Sequence, residues 1–194
     1  VKEAFFVRRK NGRIFAGLAL AAVFLFAAVA VQAAPIEPPI AVTTCGQSPG
    51  AVMVKMSCAQ AKLMPTDSDN KLTADGLRGK GYKTLIITTG TSMKGMGAAG
   101  TDVNKEIARI EELVKAAREE GMLVVGAHVE GMARRTDASD EASIKAVMPL
   151  SDMILIIEDS DKDGFFTAYS KELNKPLVVV KDALGIGAAL AELK

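Results

Sequence analysis

TLIITTG (residues 84–90), TSMKGMGAAG (91–100) and TDVNKEIARIEELVKAAREE (101–120) follow one another in the chain. Their reading decides the fold. Leu85, Ile86 and Ile87 form a short apolar run between threonines and end at Gly90, the pattern of a strand covered on both faces. Beyond Asp102 the period changes. Val103, Ile107, Ile110, Val114 and Ala117 step by three and four residues, which puts them on one helical face. Glu106, Arg109, Glu111, Glu112, Lys115 and Arg118 are then expected mainly on the solvent face. Thr101 or Asp102 can cap the start, and Gly121 suits the stop.

Between strand and helix lies a loop rich in glycine. GMGAAG (95–100) matches G-x-G-x-x-G, but TSMK separates it from the strand, and no acidic residue ends a next strand about 20 positions on. Lys94 precedes its glycine, so this is no P-loop either. General physics remains: Gly95 and Gly97 let a ligand near the backbone, a helix start favours an anion, and Thr91, Ser92 and Lys94 add donors. A loop rich in glycine only in order to turn tightly is the alternative.

Other stretches repeat the plan. Ile40, Ala41 and Val42 open a strand, TTCGQSPG (43–50) follows, and Ser48-Pro49 suits a helix start with serine as N-cap. Residues 64–82 are the least regular, with one short turn capped by Thr73 and no obvious strand. Leu123 to Val129 read as a strand followed by EGMARRTD. Asp137 or Ser139 then caps a helix through Val147, stopped by Pro149. Met153 to Ile157 and Leu177 to Val180 read as buried strands, with helices at 165–173 and 183–193. About five strands alternate with helices. The expected fold is α/β: one three-layer, doubly wound domain over residues 40–194 with a mainly parallel sheet, Rossmann- or flavodoxin-like.

The beginning of the chain reads differently. Lys2, Arg8, Arg9, Lys10 and Arg13 precede an apolar run from Ile14 to Val31, and Val31-Gln32-Ala33 offers a cleavage site. Residues 1–33 are thus expected to be a secretory signal peptide, with 34–39 an extended leader and the protein periplasmic or extracellular. An uncleaved membrane anchor is the alternative. The segment holds five of the 24 Lys+Arg and one of the 23 Asp+Glu, so 19 basic and 22 acidic residues remain, a net charge of about −3. That balance gives no footprint for nucleic acid.

In such a sheet the loops after the strands share one edge. Thr44, Gln47, Ser48, Thr91, Ser92, Lys94, Gly95, Gly97, Glu130, Arg134, Arg135 and Asp163 are expected to line a site there. Arg134 and Arg135 can clamp a carboxylate or phosphate. Cys45, before a helix start, can act as a nucleophile with His128 as its base, or it is a packing residue. A bridge from Cys45 to Cys58 is not expected, because Cys58 should lie far up the helix. Asp159, Asp161 and Asp163 are part of a calcium-loop pattern without its closing Glu. No metal and no cofactor are expected.

EPPIAVTTCGQSPGAVMVK (37–55), YKTLIITTGTSMKGMGAAGTD (82–102), HVEGMARR (128–135) and DKDGFF (161–166) together resemble an uncharacterised bacterial family of small exported proteins, a domain of unknown function. The resemblance covers nearly all of the chain after residue 33 and implies export and a Rossmann-like domain, but no activity. From the residues, the leading expectation is a binding module for a small anion. The rivals are a hydrolase or transferase using Cys45 with His128, and a structural or interaction protein whose edge residues would not converge. No protein partner is indicated, and membrane contact is expected only through an uncleaved first segment.

Overall fold

The computed structural model describes residues 34–193; the export segment expected over 1–33 lies outside them. Six parallel strands form one sheet: β1 (Ile40–Cys45), β2 (Thr66–Ser68), β3 (Thr84–Thr89), β4 (Leu123–His128), β5 (Met153–Ile157) and β6 (Leu177–Val180). Their order is β2-β1-β3-β4-β5-β6, so the winding reverses between β1 and β3. The fold is the expected α/β doubly wound domain. The strand not expected from the sequence is β2, a three-residue edge segment paired on one side only, to β1.

Helices cover both faces. On one lie α1 (Gly50–Gln60) and α7 (Ile186–Glu192), whose Val54, Cys58, Ile186 and Leu190 pack on Ile40, Val42, Ile86, Val125 and Leu155. On the other lie α2 (Ala74–Leu77), α4 (Val103–Glu119), α5 (Ala138–Leu150) and α6 (Phe165–Glu172). There Leu77, Ile110, Leu113 and Val147 cover Ala41, Leu85, Ile87 and Val124, while Ile144, Met148 and Phe166 cover Ile154 and Ile156. The period-two alternation of each strand sorts its side chains between the two cores.

Several boundaries differ from the sequence reading. Ser92 to Gly100 is not a loop but holds a separate helix, α3 (Met93–Ala99), which Ser92 caps by accepting from Gly95 N and Gly100 closes in the left-handed region at φ 69°. The start of α1 is capped by no side chain of its own; Ser48 is buried, its hydroxyl against that of Thr44. Pro149 lies within the last turn of α5, which runs on to Leu150. The last strand, β6, is an edge strand with Val179 about half exposed, not a buried one. On α4 the buried stripe is Glu106, Ile110, Leu113, Val114 and Ala117, so Glu106 faces inward, contrary to expectation.

Among the described residues no helix is long and apolar enough to cross a membrane.

Candidate functional site

The ends of β1 and β3 flank the place where the winding reverses, the usual crevice for a ligand in such sheets. Here the chain closes it. Gln47 and Thr91 form an antiparallel bridge, and Ser92 N donates to Gly46 O at 2.8 Å. Gly46 adopts φ 128°, and a Cβ there would meet Gly90 O and Thr91 at 2.7 Å. A Cβ on Gly95 would run into Gln47 O. Gly95 therefore lets α3 approach the Gln47 backbone, which is a packing role. Gly97 has open space around it. Lys94 is exposed on the first turn of α3.

The N–H groups at this edge are turned toward the protein's own carboxylates. Glu130 Oε1 accepts from Gly50 N at the start of α1 (3.0 Å), while its Oε2 takes Arg134 Nε (3.0 Å). Glu106 Oε2 accepts from Gly46 N (3.3 Å), Gln47 Nε2 (3.0 Å) and Arg109 (2.8 Å). Arg109 also donates to Leu72 O and Thr44 O; Glu106 is buried and Arg109 is largely covered, its side chain 15% exposed, so neither stands on the expected solvent face. Asp140 takes N–H and hydroxyl donors from both Thr91 and Thr136. Burial pushes its carboxyl up, but the N–H groups of Thr136 and Thr91 and the two hydroxyls outweigh this and hold it below the usual range.

The three aspartates after β5 serve three different partners. Asp159 accepts from Met132 N, Asp161 from the N–H groups of Phe166 and Thr167, and Asp163 pairs with Arg135. They do not converge on one point. Among the described residues no group of three or more His, Cys, Asp or Glu is placed to hold a metal ion.

Cys45 and His128 are not brought together. Cys45 pairs with Thr89 of β3, and His128 lies on β4 beyond it. Two strand spacings of about 4.8 Å separate their backbones. Burial pushes the Cys45 thiol up to about 11. His128 is fully buried, with Nδ1 2.8 Å from Thr89 Oγ1 and Nε2 3.1 Å from Gly131 O. Burial holds its imidazole down at about 4. Cys45 and Cys58 are both free thiols, in the cores on opposite faces of the sheet.

The two neighbouring arginines have separate tasks. Arg134 donates to Thr91 O (2.7 Å) and Glu130, locking the loop after β3 to the loop after β4. Arg135 meets Asp163 fork to fork, Nη1 to Oδ1 at 2.7 Å and Nη2 to Oδ2 at 2.9 Å. It also donates to Ser160 O (2.9 Å), and its guanidinium lies 4.5 Å from the centre of the Phe165 ring. The Arg135 side chain is 12% exposed, that of Asp163 48%. The guanidinium holds the Asp163 carboxyl down at about 2.

Arg135 borders an open cleft of about 460 Å³ at the carboxyl edge, lined with it by Thr136, Asp137, Ala138, Glu141, Ile144 and Phe165. That volume lies within the range of small-molecule sites, about 300–1,000 Å³. Of the residues expected at a site, only Arg135 lines this cleft, with Asp163 paired to it. In sequence Thr136 reads as loop and Asp137, Glu141 and Ile144 as the cap and first turns of a helix, neither of which signals a cleft.

A family model described as a domain of unknown function (DUF6305) matches residues 37–193. No curated protein matches. Among solved structures, a GDSL-like lipase from Bacteroides thetaiotaomicron is similar at 9% identity and a TM-score of 0.38, over 72% of this chain and 66% of the lipase, just under two thirds of its length. A psychrotrophic esterase from Pseudoalteromonas is similar at 12% identity and a TM-score of 0.36, over 72% of this chain and 76% of the esterase.

Proposed function

We propose that this chain, which belongs to the family described as domain of unknown function DUF6305, is an exported binding module that holds a small carboxylate in the cleft beside Arg135. The observation that carries this reading is the pairing of a nearly buried guanidinium with a half-exposed carboxylate at the cleft's rim. Arg135 is anchored by Ser160 O and the Phe165 ring whether or not Asp163 stays. An external carboxylate can therefore take the Asp163 position without moving the arginine. Phe165, Ile144 and Ala138 offer apolar contact for the rest of the ligand. Asp137 and Glu141 line the same cleft and disfavour a doubly charged phosphate.

The reading is tested by thermal melting with benzoate, hexanoate and inorganic phosphate. A ligand at a hundredfold its Kd adds about 2.7 kcal/mol of stability. The carboxylates raise the melting temperature of wild type and not of Arg135→Gln. If neither carboxylate shifts wild type at any concentration up to solubility, the reading falls.

A further inference from the structure

We infer that the ligand of this cleft is a zwitterion, an α-amino acid with an apolar side chain, whose carboxylate replaces Asp163 on Arg135 and whose ammonium meets Asp137 and Glu141. This rests on the carboxylate-binding reading above and narrows it. The cleft lining carries one cation and two acids. A carboxylate alone gains Arg135 but brings a third negative charge beside those two acids. An ammonium on the same ligand turns that repulsion into attraction.

Both acids have an oxygen to offer. Asp137 uses Oδ1 to cap α5 at Ser139 N and Asp140 N. Glu141 meets Lys145 through Oε1 at 2.5 Å. In each the second oxygen makes no hydrogen bond or ion pair among the described residues. The carboxylate end is equally defined. Arg135 presents two parallel N–H groups, the geometry that a planar carboxylate accepts. Asp163 stands on a turn just before Gly164, which adopts φ 74°, and its own side chain is already 48% exposed, so a ligand carboxylate can replace it from the solvent side. In the same lining, the Phe165 ring and Ile144 offer apolar surface for the hydrocarbon side chain that leaves the same carbon as the two charged groups.

Three probes separate the alternatives by calorimetric titration of the protein: phenylalanine, 3-phenylpropionate, which lacks the ammonium, and phenethylamine, which lacks the carboxylate. Phenylalanine is expected to bind at least tenfold more tightly than either relative, and Asp163→Asn to bind it several-fold more tightly than wild type. Asparagine keeps the Oδ1 acceptor for Phe165 N, so this variant is expected to fold. If 3-phenylpropionate binds as well as phenylalanine, the zwitterion is wrong while the carboxylate reading stands. If phenethylamine binds as well, or if no probe binds wild type or Asp163→Asn, both fall.

Discussion

Asp140 Oδ1 accepts both the backbone N–H of Thr91 at 2.7 Å and its hydroxyl at 2.8 Å, so one carboxylate oxygen on α5 fixes the loop that leaves β3. Oδ2 does the same for Thr136. Asp140→Asn puts an amide donor against one of these two sets of donors. The expected loss is roughly 3 kcal/mol, the scale of leaving buried polar groups unmatched and losing charge-assisted bonds. Urea denaturation measures it, and a loss under about 1 kcal/mol contradicts the assigned role. Because the folded carboxyl titrates below the unfolded one, this stability is present above the unfolded value of about 3.9 and disappears as pH falls through the lower folded value.

Glu106, buried, pairs with the largely covered Arg109 one turn away on α4. Removing Arg109 leaves the Glu106 charge buried, so Arg109→Met should cost about 3–5 kcal/mol, and Glu106→Leu, which leaves the partly exposed Arg109, should cost less. The double variant should cost less than the two added together. Additive losses in a double-mutant cycle would show that the two side chains act independently.

His128 supplies a second pH dependence. Its folded imidazole titrates near 4, below the ordinary 6.5. Between these values the unfolded chain binds the proton and the folded one does not, so stability falls as pH drops from about 6.5 toward 4 and rises again on return. The full span is worth roughly 3 kcal/mol at about 1.4 kcal/mol per pH unit. Unfolding free energies at pH 7 and pH 5, for wild type and His128→Gln, check this. The variant should lose most of that slope.

Lys94 and Arg135 should separate cleanly in binding. Lys94 is exposed on α3, outside the cleft, so Lys94→Ala leaves carboxylate affinity within about twofold. Arg135→Gln removes the anchored cation and should weaken it at least tenfold, about 1.4 kcal/mol. Titration with benzoate reads both. Weakening by Lys94→Ala alone would move the site to the glycine-rich segment.

Cys45 should be inert in the folded state. It is fully buried and its thiol is pushed up to about 11. Iodoacetamide at pH 7.5 should label it only as fast as the protein opens, and denaturant should accelerate labelling by orders of magnitude. Rapid labelling without denaturant would revive Cys45 as a nucleophile.

Most strands and helices were legible because β-branched runs and three-four periodicity report burial directly. Thr66–Ser68 escaped because three polar residues on an edge carry no such signal. The segment 93–99 read as loop because each glycine costs a helix about 1 kcal/mol, yet the Ser92 cap and packing against Gln47 hold it. Glu106 was visible in principle: it lies four residues before Ile110 and seven before Leu113, on the buried stripe. Its carboxylate made a solvent-facing reading natural, and its burial is explained by Arg109 on the same helix together with Gly46 N and Gln47 Nε2 from the loop after β1. Arg134 and Arg135 are indistinguishable in sequence. Opposite partners, Glu130 for one and Asp163 for the other, separate them in space.

The bridge between Gln47 and Thr91 has a consequence for the timing of local motion. Loops beyond the ends of strands ordinarily trade their amide hydrogens with water long before the sheet does. Here the amides of Gly46, Gly50 and Thr91 are held by Glu106, Glu130 and Asp140, carboxylates brought from other elements. In deuterated water these three should keep their protons on the timescale of β1 and β3, so that this end of the sheet opens as one cooperative unit.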